Sequence, residues 1–256
     1  MSEPIFRFND DAAMQEASAA ARSSFKYFWR ELSWERRRIV PALDGAMIKL
    51  PFTDGPRTDG RGEYEIMWLN QIDFNGNTLT GTLVNKPNWL TSVKQGDAVT
   101  AHLSYLADWL MMSRGKAFGG YTVNLMRSRM SANDRTAHDK AWGLDFGDAS
   151  NIRVELRDDK QPRSLKFEDH PMCVNMLEKC EQQLRENPSM TTTPYERGWT
   201  LLHTESLAGN LGVVRLLIKY GADAAALTPE GWNAAGLAQA IGWDEIVAFL
   251  TNPAGN

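Results

Sequence analysis

Carboxylates and histidines carry most acid–base chemistry, and the pairing that best fits such a role here is Asp108 beside Trp109, with Glu65 across a sheet. A carboxyl held against an indole loses water, its pKa rises, and it can act as an acid near neutral pH. A structural aspartate that caps or pairs leaves the same trace in sequence. The four histidines, His102, His138, His170 and His203, stand at no metal-ligand spacing, because His170-x-x-Cys173 lacks a second pair. Cys173 and Cys180 are the only cysteines. On one helix they lie about 10 Å apart, too far for a bridge, and read as buried thiols in a reducing compartment. Gly115–Gly120 lacks the Lys-Ser/Thr ending of a phosphate loop, and neither a Gly-x-Ser-x-Gly elbow nor a dinucleotide fingerprint occurs. The sequence therefore predicts no catalytic, cofactor-binding or metal site.

The elements that position these residues follow from periodicity. A helix is expected from about Asp10 to Arg38, capped by Asp10 or Asp11 and stopped by Pro41. Phe25, Phe28, Trp29 and Leu32 make its apolar stripe. The triplet Arg36-Arg37-Arg38 reads as a solvated helix end favoured by the macrodipole, with a phosphate patch as the alternative. The period then becomes two. Ala46–Phe52 is a strand, and Glu63–Phe74 and Asn77–Val84 form a hairpin turned by Asn75-Gly76 in a two-residue loop. Further strands are expected from Val99 to about Leu106, near Tyr121–Met126 and at Ile152–Leu156, with a helix from Ser131 or Asn133 to Trp142. Charged residues and Pro162 mark Arg157–Asp169 as a linker.

The C-terminal third repeats itself at a shift of 33 residues. Gly198-Trp199 falls on Gly231-Trp232, Gly209 on Gly242, Val213-Val214 on Ile246-Val247, and Leu217 on Leu250. This segment resembles the ankyrin family. Leu201 stands where that pattern has Pro, Glu205 where it has a small Ala, and Asn233-Ala-Ala-Gly236 replaces the Thr-Pro-Leu-His signature, as in a capping repeat. A further shift places Cys180 on Val213 and Leu184 on Leu217, so the helix His170–Arg185 reads as the remnant of an earlier repeat. So short an array is marginal alone and is expected to dock on the first domain. The ankyrin resemblance implies a partner surface at the turn tips and inner helices, here Trp199, Thr204, Pro229, Glu230 and Trp232. The two Trp residues are either the partner's anchor or packing against the first domain.

The first domain carries Glu65-x-x-Trp68, Gly81-x-Leu83-x-Asn85-x-Pro87, Lys94-x-Gly96-Asp97, Asp108-Trp109 and Gly119-Gly120-Tyr121-Thr122. In order and spacing these resemble the YegJ-like domain of unknown function family, which implies a small antiparallel sheet with helices and supplies no reaction. The expected fold is α+β, an N-terminal antiparallel sheet with flanking helices over residues 1–160. An all-α ankyrin-repeat tail of about two to three repeats follows over 161–256.

The 256 residues carry a net charge of −4, and 43% are hydrophobic. That balance argues against non-specific binding to nucleic acid or anionic membrane. No stretch approaches the roughly 18 apolar residues of a membrane span. The N-terminus shows no leader pattern, so a cytoplasmic protein is expected. The favoured function is non-enzymatic protein binding, in the manner of immunity proteins that neutralise a toxin, and the negative charge fits a basic toxin domain. An adaptor acting through the repeats is the alternative, and an enzyme using Asp108, Glu65 and His102 the third reading.

Overall fold

The computed structural model describes residues 12–56, 64–156, 167–194 and 196–252. The chain divides into two compact units, Met1–Leu156 and Arg157–Asn256. The expected helix caps Asp10 and Asp11 and most of the expected linker lie outside the described residues.

In the first unit, helix α1 spans Ala12–Glu35. The strands are β1 (Gly45–Phe52), β2 (Glu65–Phe74), β3 (Thr78–Leu83), β4 (Ala98–His102), β5 (Asp108–Ser113) and β6 (Lys116–Gly119), followed by helices α2 (Tyr121–Ser128) and α3 (Ala132–Trp142). The strands form one antiparallel sheet in the order β4-β3-β2-β1-β5-β6. Alternation along the strands gives the sheet two faces. Ile48, Leu69, Leu83 and Trp109 face α1, where Phe25 stacks on Phe28 at 5.3 Å and meets Phe74 edge-on at 5.4 Å. The Trp109 indole N–H donates to the Ala21 carbonyl at 2.9 Å, fastening β5 to α1. The opposite face buries Trp68, Leu110, Ala117, Val123 and Phe146.

Three expectations for this unit are corrected. Tyr121–Met126 is not a strand but lies within α2. Its Tyr, Thr and Val favour strand, yet Gly119 and Gly120 have φ of 76° and 68°, a left-handed pair that breaks the extended chain. Ile152–Leu156 forms no strand. The β2–β3 connection holds three residues, Asn75 to Asn77, rather than two. The Asn75 side chain accepts the N–H groups of Asn77 and Thr78 there. The apolar run Leu106–Met112, unassigned in the sequence, contains most of β5.

The second unit holds helices α4 (Pro171–Glu186), α5 (Leu201–Ala208), α6 (Leu211–Lys219), α7 (Ala234–Ile241) and α8 (Asp244–Thr251). α5 pairs with α6 and α7 with α8. α5 packs on α7, α6 on α8, and α4 on α6 as the second helix of a preceding repeat would. The repeat interior buries Leu202, Leu207, Val214, Leu217, Leu237, Ile246 and Leu250. Gly209 and Gly242 end the first helix of each copy with φ of 77° and 83°. The second copy forms its helix pair despite its altered signature, because the Asn233 side chain accepts the Gly236 N–H and caps α7.

Candidate protein-binding surface

The residues with apparent chemistry in the first unit serve structure. Asp108 is fully buried. One carboxylate oxygen accepts the N–H groups of Trp109 and Tyr121 at 2.8 and 2.9 Å. The other accepts the Thr122 N–H at 2.8 Å and its hydroxyl at 2.6 Å. The aspartate thus caps the N-terminus of α2 from a neighbouring strand. Burial pushes its pKa upward, while the Thr122 hydroxyl and the Lys49 ammonium oppose that shift. Lys49 stands opposite Asp108 on one side and Trp68 on the other in the sheet. Its amine lies 4.8 Å over the Trp68 ring and donates to the Thr122 hydroxyl at 3.2 Å.

Glu65 does not converge with Asp108, since β1 runs between their strands. Its carboxylate accepts the N–H groups of Asn88, Trp89 and Leu90 and clamps the turn after β3. Burial opposes its charge, but these bonds together hold its pKa below the ordinary value. His102 accepts the Ser104 N–H at a short helical turn, and His170 caps α4 by accepting the Met172 N–H. His138 bonds Asp139 at 2.9 Å. Cys173 is buried and Cys180 half-buried, neither in a disulfide, and burial together with the Asp169 charge pushes the Cys173 thiol up to about 12. Among the described residues, no three His, Cys, Asp or Glu side chains are grouped as a metal site needs, and no helix is long and apolar enough to cross a membrane.

The second unit arranges its polar residues around a finger loop, residues 220–232. At the start of α5 the Nδ1 of His203 accepts the Thr200 N–H at 3.1 Å, so Nε2 carries the proton and donates to the Ala226 carbonyl at 2.8 Å. One imidazole therefore caps α5 and holds the finger loop. The loop closes on itself through Thr228, whose N–H donates to the Trp232 carbonyl at 2.8 Å and whose hydroxyl accepts the Trp232 N–H. Trp199 is 5% exposed, and its indole N–H donates to Glu230 at 3.1 Å. Its ring meets His203 edge-on at 6.2 Å. Burial works against the Glu230 charge, yet its own N–H, the Thr228 hydroxyl and the Trp199 indole hold its pKa below the ordinary value.

The five residues expected at the partner surface thus differ in standing. Pro229 and Glu230 are exposed, Thr204 and Trp232 are half-buried, and Trp199 is a buried brace. Two residues that sequence reasoning passed over complete the picture. Leu227 is 63% exposed at the fingertip, a large apolar side chain that the loop leaves in water. Trp243 is buried, its indole N–H bonded to the Leu207 carbonyl at 3.2 Å, and it fastens the second copy to the first. The repeat itself could have revealed Trp243, because Asn210 holds the corresponding position one period earlier.

Residues 11–146 match a family described as an uncharacterized protein conserved in bacteria, DUF2314. Over 94% of its length the chain is 42% identical to an ankyrin repeat protein of Neisseria meningitidis, covering 93% of that protein. It is 28% identical to the uncharacterized protein YegJ of Escherichia coli over 45% of this chain and 67% of that one. Over 35% of its length it is 33% identical to the human protein phosphatase 1 regulatory subunit 27, covering 57% of that protein.

Proposed function

The chain belongs to the DUF2314 family of proteins conserved in bacteria, and from that premise we propose that it is a non-enzymatic protein whose partner seats on the finger loop of its repeats. The carrying observation is Leu227, an exposed apolar side chain on a loop that His203, Thr228 and Trp199 hold in one geometry. An anchor on a braced loop loses little entropy when it binds. Around it stand Pro229, Glu230 and Trp232, with Thr204 on the adjoining helix. Residues 167–256 hold eleven Asp and Glu against five Lys and Arg, which favours a basic partner through electrostatic steering.

Within that class the favoured role is a cytoplasmic immunity protein that covers and neutralises a basic toxin domain. Co-expression with candidate toxins should restore growth and yield a one-to-one complex. Failure of both with every candidate would overturn this role. A second reading, control of an endogenous enzyme, draws support from the likeness to a phosphatase regulatory subunit. Affinity separates them: a toxin inhibitor should bind at nanomolar strength or tighter, whereas a regulator works at micromolar.

A further inference from the structure

The sheet of the first unit has two edges, and among the described residues the chain closes one of them. At β6 the Ala117 N–H donates to the Asp145 carbonyl at 2.9 Å and the Gly119 N–H to the Arg153 carbonyl at 2.7 Å. Residues after α3 thus occupy the outward groups of that strand. β4 is the other edge, and no described strand lies beyond it. Its pairing with β3 fixes which of its groups face out. The Leu83 N–H donates to the Asp97 carbonyl at 2.9 Å and the Leu103 N–H to the Asn77 carbonyl at 2.7 Å. Between those bonds the register runs without a shift, from Thr82 opposite Ala98 to Thr78 opposite His102. Bonding alternates along an antiparallel pair, so Val99 and Ala101 bond β3, while the N–H and C=O groups of Ala98, Thr100 and His102 point outward. These three residues are exposed, and Val99 and Ala101 are half-buried.

The side chains leave this edge unguarded as well. Edge strands are commonly protected by lysine, proline or a bulge, and β4 has none of these between Ala98 and His102. A row of alternating donors and acceptors binds an extended backbone. A second copy of β4 meets it in register. Turned about a twofold axis at Thr100, the copies set Ala98 opposite His102, Val99 opposite Ala101, and Thr100 opposite its own copy. The three outward residues map onto one another, so every outward N–H finds an outward C=O. Neither lysine, arginine nor a carboxylate lies in the paired span, and no like charges meet there. Thr100 already pairs with Thr80, and the joint would continue that threonine row across the axis.

We propose that β4 is a self-association edge, at which a second copy of this chain pairs antiparallel about Thr100 and joins the two sheets into one. One short strand from each copy buries well under the roughly 1,600 Å² of a standard stable interface, so the dimer is reversible and forms as concentration rises. A second copy is favoured over a foreign strand because the edge complements itself in both bonding register and charge. Self-association here is independent of any partner at the finger loop.

The test follows the full chain by sedimentation from roughly 10 μM to 1 mM, where the wild type should shift from monomer toward dimer. Amide exchange resolved by NMR should slow about fivefold or more for Ala98, Thr100 and His102 at the top of that range. The Val99 and Ala101 amides should be protected already at the bottom of it. Thr100→Lys sets two ammonium groups opposite each other at the axis and should abolish the dimer, as should Thr100→Glu. An equal mixture of the two variants should restore it. Thr100 is exposed, so both variants should keep the wild-type melting temperature. A monomer at every concentration, a dimer that either variant leaves intact, a mixture that stays monomeric, or a dimer in which the three amides exchange as before would overturn the proposal. So would a wild-type chain that stays monomeric while Thr100→Lys weakens a complex with another protein, which would assign the edge to a foreign strand.

Discussion

The Trp199 indole N–H donates to the Glu230 carboxylate at 3.1 Å, joining the opening turn of the first repeat to the fingertip that leads into the second. Trp199 is buried, and through this bond it braces the finger loop. Leu227, the anchor in the proposed reading, lies exposed three residues before Glu230.

Trp199→Phe keeps a ring near His203 and removes the donor. Glu230 is exposed and water can replace the lost bond, so unfolding by urea should show a loss of about 1 kcal/mol. The pH dependence has a definite sign. The folded-state pKa of Glu230 lies below its unfolded value, so its contribution is full above the unfolded pKa and is lost as pH falls through the folded one. The variant should lose part of that acid sensitivity.

Two glycines at matching repeat positions should respond differently to alanine. A Cβ on Gly209 would sit 2.3 Å from the Trp243 ring, whereas at Gly242 the space is open. Both have positive φ. Gly242→Ala should therefore cost about 1 kcal/mol, from backbone strain alone, and Gly209→Ala about 3 kcal/mol or more. Thermal melts of the two variants check the ordering.

Asp108→Asn sets an amide N–H₂ against donors that now find carboxylate oxygens. With the site fully buried, chemical denaturation should register a loss of about 2–3 kcal/mol. Partner affinity measured below the melting range should be unchanged, as suits a helix cap. Loss of binding with undiminished stability would assign Asp108 a role at the partner surface.

Helix α3 buries no residue, and its attachment runs through the bidentate pair of Arg127 with Asp139 at 2.8 and 2.6 Å and the Trp142–Trp68 ring contact. Asp139→Asn should raise amide exchange in α3 at least tenfold while the β1 and β5 amides stay protected. In the wild type, burial opposes the Asp139 charge but Arg127 and His138 hold its pKa below the usual value. Acidification through that lowered pKa should therefore loosen α3, and raising the pH again should restore its protection.

Much of this architecture is legible in the residues, and the failures have local causes. The 33-residue shift locates both helix pairs, and the apolar stripe of Phe25, Phe28 and Trp29 locates α1 and its buried face. β5 escaped because Asp108 interrupts an apolar run. The carboxyl is accommodated there because donors from Trp109, Tyr121 and Thr122 converge on it beside Lys49, and Tyr121 and Thr122 lie beyond the next hairpin. α2 escaped because β-favouring side chains were outweighed by a glycine pair and that same distant cap. In the repeats, Glu205 looks like a defect. It is buried with its carboxylate 2.6 Å from the Asn210 amide, and one period later the pair becomes Ala238 and Trp243. A polar pair and a small–large apolar pair fill equivalent space, which neither residue discloses alone.

The most direct test of the account is a calorimetric titration of the full chain with the partner recovered from its own cells, comparing wild type with Leu227→Asp. The account predicts one-to-one binding that weakens at least a hundredfold in the variant, with no change in its melting temperature and a wild-type affinity that falls as salt rises. Equal affinity of the two chains, with both folded, would contradict it.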